Sequence, residues 1–367
     1  MLTASYPAKR RGVKTGAANW QARQVCPELI CDDLYMKYSR LVRRIYAEYT
    51  DVIEPFGMDE NWIAIHGGVE DVETTGLRVA EEIRHRVREE LGLTVSIGVS
   101  FSKIFTKLGS DMKKPDAVTV ISPDNFRQKV WPLPVSELLY VGPATTKKLM
   151  NMNILTIGDL ARCDPELLHA HLGKNGIMLW CFANGTEYAP VMPADFVPPI
   201  KSVGHGTTCV CDLDAEYPVW RVLYALAQDV GHPLRQSELI ARGVQITVKD
   251  KDLAYRQYQT PLPYPTQSPL ELAQTGFALF RQSYHWEKPI RALTIRAINL
   301  VSEHQPVQLD LFDNVQCRDR RKALDNCIDD IRHRFGTKAI CAASLLGDLK
   351  MAQDRCETVM MPGIMCQ

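Results

Sequence analysis

Long apolar runs are missing from this chain of 367 residues. No stretch approaches the roughly 20 consecutive apolar residues that a membrane-spanning helix requires, and the first residues lack the apolar core of a secretory signal peptide. Internal repeats and low-complexity tracts are also missing, which excludes a repeat architecture. The composition, 46% hydrophobic and 23% charged, is that of a folded soluble protein. We therefore predict a cytoplasmic protein that makes no membrane contact.

Paired cysteines are missing as well. The eleven cysteines are scattered, and no two of them form a Cys-x-x-Cys pair. Structural zinc needs four ligands in closely paired spacing, which this pattern does not supply. An odd number of cysteines without a framework is typical of reduced thiols in the cytosol.

A net charge is missing too, since 43 basic and 43 acidic residues balance each other. Averaged over the chain, this balance argues mildly against a nucleic-acid-binding protein, but the charges are segregated. Basic clusters occupy residues 9–14 (KRRGVK), 103–114 and 318–322 (RDRRK). Each of these clusters, taken singly, is more often a solvated face than a binding site.

The length predicts two to four domains. We predict a short basic segment (1–34), an α/β layer (35–121), a group of short helices (122–190), a proline-rich linker (191–199), an α+β module (200–349) and a tail (350–367). Apolar residues three and four apart predict a helix over 34–49, and a second helix ends at Gly92. Alternating apolar and polar residues predict strands in the α+β module, in β-α-β-β-α-β order.

The run TVSIGVSFSKIFTKLGSDMKKPDAVTVI, residues 94–121, is the most informative segment. It predicts a strand, a helix and a strand, and it carries the lysines Lys103, Lys107, Lys113 and Lys114. Ammonium groups on one surface are suited to bind phosphate, in DNA or in a nucleotide. Upstream, the adjacent acids Asp59 and Glu60 begin another apolar strand. Carboxylates beside a phosphate-binding surface are typical of metal-assisted phosphoryl transfer.

The segment from Val141 to Lys148 predicts a hairpin between two helices. Its backbone N–H groups, around Gly142, could face a DNA phosphate, and Lys147 and Lys148 add positive charge. A plain helical hairpin held by apolar contacts is an equally good interpretation of this segment alone.

Together these motifs resemble those of the Y-family translesion DNA polymerases, over about residues 3 to 349, and most closely the DinB/UmuC-like branch of Gram-positive bacteria. The resemblance implies an α+β multidomain, right-hand polymerase fold: partial fingers, an α/β palm, a helix-hairpin-helix thumb and an α+β little finger. It also implies error-prone, template-directed addition of nucleotides to a primer–template DNA during damage tolerance. We expect a monomer that binds DNA without sequence preference.

The resemblance implies roles for individual residues. Asp59 and Glu60 match the acidic pair of the palm, where the aspartate binds two Mg²⁺ ions and the glutamate helps to position one of them. Lys114 matches a lysine that contacts the triphosphate of the incoming nucleotide. Tyr6 and Lys9 match a fingers tyrosine and a basic residue that also hold the triphosphate. Most relatives have Arg where Lys9 stands, so Arg10 is an alternative.

The segment QLDLF at 308–312 resembles the peptide by which bacterial polymerases dock on the sliding clamp. In that interpretation Gln308 enters one site, Leu311 and Phe312 fill an apolar one, and Leu309 belongs to the same peptide. Its polar flanks predict an exposed loop. A buried edge strand is the alternative.

The chain departs from the family pattern near its start. The family palm begins with a strand that carries a metal-binding aspartate and an aromatic gate against ribonucleotides, whereas no aspartate precedes Asp32 here, and Asp32 lies in a loop-like segment. Ala64 also stands where the family usually has an aspartate. We therefore expect an N-terminally truncated polymerase with little activity. The alternative is a catalytically inactive accessory protein that binds DNA and the sliding clamp.

Overall fold

The computed structural model of the protein describes residues 4–30, 34–66, 72–187, 189–305, 315–337 and 339–351. The chain forms two compact units, of which the first ends at Phe196 and the second begins at Val197. This break lies inside the proline-rich segment 191–199. Within the described ranges, no helix is both long enough and apolar enough to cross a bilayer.

The first unit combines short helices with two small sheets. Its helices are α1 (Tyr6–Arg10), α2 (Asn19–Val25), α3 (Tyr35–Ala47), α4 (Val72–Leu91), α5 (Lys103–Met112), α6 (Phe126–Val130), α7 (Pro143–Asn151), α8 (Ile157–Arg162), α9 (Pro165–Leu172) and α10 (Lys174–Ala183). Its strands are β1 (Ile53–Pro55), β2 (Asn61–Ile63), β3 (Ile97–Ser100) and β4 (Val118–Ile121). The helix predicted over 34–49 is confirmed as α3. The helix predicted to end at Gly92 is confirmed as α4, because Gly92 adopts φ +65° and donates its N–H to Arg88.

Strands β1 and β2 form an antiparallel hairpin, and β3 and β4 form a parallel pair connected by α5. Helix α5 begins at an N-cap serine, Ser102, whose Oγ accepts from the N–H of Ile104. Glycine is required at position 98, because a Cβ there would lie 1.9 Å from the carbonyl oxygen of Thr106 on α5. The absence of a side chain therefore allows the backbone of α5 to lie directly on β3.

The apolar faces of α3 and α4 cover the strands. Ile45 of α3 packs with Val79, Ile83 and Val87 of α4, and Ile63 of β2 and Ile97 of β3 lie against the same cluster. On the other side, α5 contributes to a second core that it shares with α6 to α10. The α/β layer and the group of short helices are therefore joined through α5.

Of the two helices predicted around the hairpin at 141–148, the second is confirmed as α7 and the first is contradicted. The element before the hairpin is a single 3₁₀ turn, Val135–Glu137, rather than an α-helix. Gly142 is the N-cap of α7, and Pro143 occupies the first turn, where a missing N–H costs nothing. The next helix, α8, begins with a capping box between Thr156 and Asp159.

The second unit has the predicted β-α-β-β-α-β order. Its elements are β5 (Ser202–Leu213), α11 (Glu216–Gln236), β6 (Leu239–Asp250), β7 (Tyr255–Thr266), α12 (Pro269–Ser283), β8 (Ile290–Ser302) and α13 (Val315–Phe335). The four strands form one antiparallel sheet in the order β5-β8-β6-β7. Helices α11 and α12 pack on one face of this sheet and bury its apolar residues.

Helix α13 is attached to this unit largely by charged side chains. Arg235 of α11 makes two hydrogen bonds with Asp329 of α13, at 2.6 and 3.0 Å. Arg321 of α13 pairs with Glu271 of α12 at 2.9 Å. Part of the basic run at 318–322 is therefore used for packing within the unit.

Candidate active site and nucleic-acid surfaces

Asp59 and Glu60 lie in the turn that connects β1 and β2. The backbone N–H groups of Phe56 and Gly57 both donate to the carbonyl oxygen of Glu60, at 3.0 and 3.2 Å, and close the turn. Asp59 is exposed, and the side chain of Glu60 is 40% exposed. The predicted position at the start of a strand is confirmed, because β2 begins at the next residue, Asn61. The turn thus carries two consecutive acidic residues, of which Asp59 is exposed and Glu60 is partly exposed.

Helix α3 holds this turn at two points. Ser39 Oγ donates to the carbonyl oxygen of Met58, and Arg43 Nε donates to Asn61 Oδ1 at 3.1 Å. Ser39 and Arg43 are four residues apart and therefore lie on one face of the helix. Their partners are the residues immediately before and after the acid pair, so α3 fixes the backbone that carries both carboxylates. The sequence analysis did not identify Ser39 and Arg43. Their spacing of four residues on one helix face was the signal that could have pointed to them.

Asp59 also lies near α3. Burial, and to a lesser extent the negative charge of Asp59, raises the pKa of Tyr46 to about 12. The Tyr46 hydroxyl therefore stays neutral at physiological pH and adds no charge beside the acid pair.

One ion pair connects the acidic turn to the basic segment, and two further ion pairs lie within that segment. Lys107 Nζ lies 3.2 Å from Glu60 Oε1 and 2.5 Å from Asp111 Oδ2. Lys114 Nζ lies 2.7 Å from the other oxygen of the same aspartate, Asp111 Oδ1. The side chain of Lys107 is 16% exposed, whereas that of Lys114 is 47% exposed. The structure thus links Glu60 to Lys107, and Lys107 to Lys114 through Asp111.

These contacts set the charge of the two central groups. Burial alone would lower the pKa of Lys107, but its hydrogen bond with Asp111 and the charges of Glu60 and Asp111 outweigh burial and raise that pKa. Burial alone would raise the pKa of Asp111, but hydrogen bonds from Lys107 and Lys114 outweigh it and lower that pKa. Lys107 and Asp111 are therefore both charged at neutral pH.

A second set of ion pairs fixes the backbone after Lys114. Asp116, which adopts φ +54°, pairs with Arg84 at 2.9 Å and with Arg88 at 3.1 Å. The two arginines are one turn apart on α4, and the side chain of Asp116 is 17% exposed. The loop that carries Lys114 is thus anchored on α4. Sequence reasoning missed these three residues, because the helical pattern shows the spacing of the arginines but not their partner.

Lys103 has a structural partner. Its Nζ lies 2.6 Å from Glu54 Oε2 on β1, and both side chains are largely buried, with 11% and 19% exposed. The same carboxylate oxygen accepts from the N–H of Met192 at 2.8 Å, and Trp62 Nε1 donates to the carbonyl oxygen of Lys103 at 3.0 Å. Lys103 therefore joins α5 to the hairpin. Its role in DNA binding stays a prediction, and here its charge is already neutralised by Glu54.

Tyr6, Lys9 and Arg10 all lie on α1. Lys9 Nζ is 5.7 Å from the centre of the Tyr6 ring, Tyr6 is 48% exposed, and Arg10 is exposed. The helix belongs to a small core of its own, formed by Ala4, Ala8, Val13, Ala22 and Cys26. The structure thus places Tyr6 and Lys9 side by side, and their contact with a triphosphate stays a prediction.

The acid pair fits Mg²⁺ in the chemistry of its donors. Carboxylate oxygens are hard ligands, and Mg²⁺ is commonly held by one or two carboxylates together with substrate phosphates and water. Across the described residues, no group of three or more His, Cys, Asp or Glu side chains is arranged to hold a metal ion. Asp32 lies outside the described residues, and the acid pair itself supplies two carboxylates, those of Asp59 and Glu60.

The predicted thumb residues line two clefts. Lys148 lines a cleft of about 410 Å³ together with Thr145, His171 and Asn175. Lys147 lines a neighbouring groove, also on α7. Neither lysine makes an ion pair with any residue that the structure describes, so both ammonium groups are available to a ligand. Sequence reasoning missed His171 and Asn175, which approach α7 only in the folded unit.

The face of the second unit's sheet that lies opposite α11 and α12 is polar. Its side chains form rows across the strands, in which Gln245 lies between Arg296 and Gln259, and Thr247 lies between Thr294 and Gln257. Gln245 Nε2 also donates to Gln259 Oε1, and Gln245 Oε1 accepts from Gln257 Nε2. Lys249 adds a positive charge to the same face. Glutamine, threonine and arginine side chains on a flat surface are suited to contact phosphates and base edges. Sequence reasoning missed this face, although the alternation along β6 and β8 was its signal.

The predicted clamp-binding residues, Gln308, Leu309, Leu311 and Phe312, lie outside the described residues. The segment stays a prediction from the sequence.

Comparison with protein families gives two matches. The model of the impB/mucB/samB family matches residues 1–111, and the model of that family's C-terminal domain matches residues 200–311. A protein of Acetivibrio thermocellus named DNA polymerase IV is 44% identical over 357 residues, which are 95% of this chain and 88% of that protein. A Bacillus subtilis protein named DNA polymerase IV 1 is 35% identical over 347 residues, which are 93% of this chain and 82% of that protein.

Solved structures show the same fold. A Y-family DNA polymerase chimera, Dbh-Dpo4(243-245)-Dbh, is similar with a TM-score of 0.69 at 21% identity, over 82% of this chain and 87% of that one. An insertion ternary complex of Dbh DNA polymerase is similar with a TM-score of 0.52 at 20% identity, over 81% of this chain and 86% of that one. At these identities the likeness concerns the fold alone.

Proposed function

Because the chain belongs to the DinB-like Y-family of translesion DNA polymerases, we propose that it extends a primer on damaged template DNA through the site formed by Asp59, Glu60 and Lys114. The observation that carries this proposal is the ion pair between Glu60 and Lys107. It brings an acidic turn and a basic strand–helix–strand segment to one surface, as phosphoryl transfer requires.

Each side chain has a role that follows from its position. Asp59 and Glu60 supply oxygen ligands for Mg²⁺ on a turn whose backbone is fixed by α3. When bound there, the ion would neutralise charge that develops on the reacting phosphate. Lys107, which is mostly buried, restrains Glu60 at the edge of the site. Lys114, which is nearly half exposed, offers an ammonium group to the triphosphate.

The remaining contacts of the substrates are proposed from the sequence and the surfaces described above. Tyr6 and Lys9 contribute to triphosphate binding, with Arg10 as the alternative to Lys9. Gly142, Lys147 and Lys148 contact the phosphates of the primer–template duplex. The polar sheet face of the second unit also contacts DNA. The segment 308–312 binds the sliding clamp. Such phosphate contacts position DNA without reading its sequence.

Primer extension with Mg²⁺ tests the proposal. Asp59→Asn and Glu60→Gln remove one negative ligand each and keep the shape of the side chain. We expect each to reduce the rate of nucleotide insertion at least about 100-fold, as when a preorganised electrostatic stabiliser is removed. Binding of the primer–template, measured by fluorescence anisotropy, is expected to change little.

Asp124→Asn is a matched control, because Asp124 is exposed and makes no ion pair within the described part of the chain. It removes the same charge from the same unit and is expected to leave insertion unchanged. Insertion by Asp59→Asn at the wild-type rate would contradict the proposed site.

A second candidate function is favoured by one observation. Among the described residues no group of three or more potential ligands is arranged to hold a metal ion, and one member of the acid pair, Glu60, is already paired with Lys107. A protein of this kind could bind primer–template DNA and the clamp without inserting nucleotides. Tight, salt-sensitive DNA binding together with no extension by the unsubstituted chain would support this accessory role.

A further inference from the structure

Asp111 lies between the two lysines of the site and touches both. Its Oδ1 is 2.7 Å from Lys114 Nζ, and its Oδ2 is 2.5 Å from Lys107 Nζ. The proposed function uses the charge of Lys114, whereas it gives Asp111 no task. An aspartate that pairs with a substrate-binding lysine weakens substrate binding, because the substrate must displace it. Such an aspartate therefore calls for a function of its own.

We propose that Asp111 is a positioning residue that occupies Lys114 in the free protein and competes with a nucleoside triphosphate for its ammonium group. This inference rests on the proposed function in one respect, which is that Lys114 is a triphosphate ligand. The inference predicts that Asp111 holds the Lys114 side chain in place before the nucleotide binds, and that it weakens the binding of the triphosphate.

The geometry supports an exchange of partners. The side chain of Lys114 is 47% exposed, so a phosphate oxygen can reach its ammonium group from solvent. Phosphate and carboxylate oxygens both accept hydrogen bonds from an ammonium, and the charge of Asp111 repels an approaching polyanion.

Lys107 gives Asp111 a second partner that remains after the exchange. Its side chain is 16% exposed and lies one helical turn before Asp111 on α5. When the triphosphate takes Lys114, Asp111 therefore keeps one ion pair and is not left uncompensated. Lys107 also pairs with Glu60, and its positive charge offsets the repulsion between the carboxylates of Glu60 and Asp111. The cost of releasing Lys114 is thus that of one partly exposed ion pair, which is small.

Binding of a deoxynucleoside triphosphate to the full chain in EDTA tests the proposal, because metal ligation and catalysis are then excluded. The probe is a fluorescent deoxynucleoside triphosphate, and its dissociation constant is measured by anisotropy. We expect Asp111→Asn to bind about two- to fivefold more tightly than the unsubstituted chain, in line with the loss of one exposed ion pair. Lys114→Ala is expected to bind more weakly.

A double-mutant cycle separates competition for Lys114 from a general effect of charge. In the Lys114→Ala background, Asp111→Asn is expected to have no further effect, since the contested group is gone. Asp124→Asn, which removes the same charge from an exposed position, is expected to leave the affinity unchanged. Asp111→Ser is a second variant whose affinity is expected to rise in the same way, and thermal unfolding shows which variants are folded.

Equal or weaker binding by folded Asp111→Asn and Asp111→Ser would overturn the inference, and so would a gain that persists without Lys114. A chain that binds the probe through Lys114 but fails in primer extension would refute the proposed catalysis and leave the role of Asp111 intact. The two failures are therefore distinguishable.

Discussion

Glu54 is expected to contribute more to the stability of the first unit than any surface carboxylate of the same unit. Its carboxylate receives two hydrogen bonds, from the ammonium of Lys103 at 2.6 Å and from the N–H of Met192 at 2.8 Å. Hydrogen bonds to charged groups contribute about 1.5–3 kcal/mol each, and breaking a buried ion pair costs about 3–5 kcal/mol because the remaining charge is uncompensated. The side chains of Lys103 and Glu54 are still 11% and 19% exposed, so we expect a cost at the lower end of the range for a buried ion pair. Glu54→Ala should therefore lower the free energy of unfolding by about 3 kcal/mol.

The measurement must report on the first unit alone, because a chain with two units need not unfold in a single step. A urea titration read by hydrogen exchange of peptides covering residues 53–63 meets this requirement. Glu54→Gln keeps an acceptor for Met192 and loses the charge, so its effect should be about half as large. Glu81→Gln is the control, since Glu81 pairs with Arg84 on the surface of α4 and is 47% exposed. If Glu54→Ala and Glu81→Gln shift the midpoint equally, the buried pair does not stabilise the hairpin and the reasoning is wrong.

Three further outcomes are expected. Replacing Leu311 and Phe312 by Ala should abolish binding to the sliding clamp in a pull-down while DNA binding survives, because each buried apolar side chain contributes about 1.5–3 kcal/mol; unchanged clamp binding would show that the motif is not used. Lys148→Ala should reduce the slope of log affinity for primer–template DNA against log salt by about one, for every DNA sequence alike; an unchanged slope would remove Lys148 from the interface. Burial alone would raise the pKa of Asp329, but hydrogen bonds and charge from its arginine partner outweigh burial and lower that pKa. The docking of α13 should therefore be fully present above the ordinary aspartate pKa of about 3.9, and it should be lost as the pH falls through the lower pKa that Asp329 has in the folded state. In the unsubstituted chain, hydrogen exchange of α13 should rise as the pH falls through that value. In Asp329→Asn, hydrogen exchange of α13 should be raised already at neutral pH.

Local patterns in the sequence predicted the elements of the fold well. The apolar spacing of 34–49 predicts α3, the position of Gly92 predicts the end of α4, and the alternation after residue 200 predicts the β-α-β-β-α-β order. In each case the determining contacts lie within one element or between neighbours in the chain. The exception is the segment before α7, where we expected a helix. Only the three residues Val135–Glu137 form a 3₁₀ turn there.

Contacts between distant segments could not be predicted in the same way. The sequence pointed to Lys103 as a DNA contact, but its partner Glu54 is 49 residues away and becomes visible only when β1 and α5 are packed together. The support of the acid pair by Ser39 and Arg43 depends likewise on how α3 crosses the hairpin. The polar sheet face required the register between β6 and β8, which alternation along one strand does not give.

The contact between Gly98 and α5 has a consequence for how the sequence can vary over evolutionary time. Gly98 touches no substrate in the proposed function, yet any side chain there would push α5 away from β3 and displace Lys107 and Asp111 with it. Position 98 should therefore be as intolerant of substitution in a saturation library as the acid pair itself. A survey of tolerated residues would therefore group Gly98 with the residues of the active site. Its contribution, however, is only to allow the backbones of β3 and α5 to pack in direct contact.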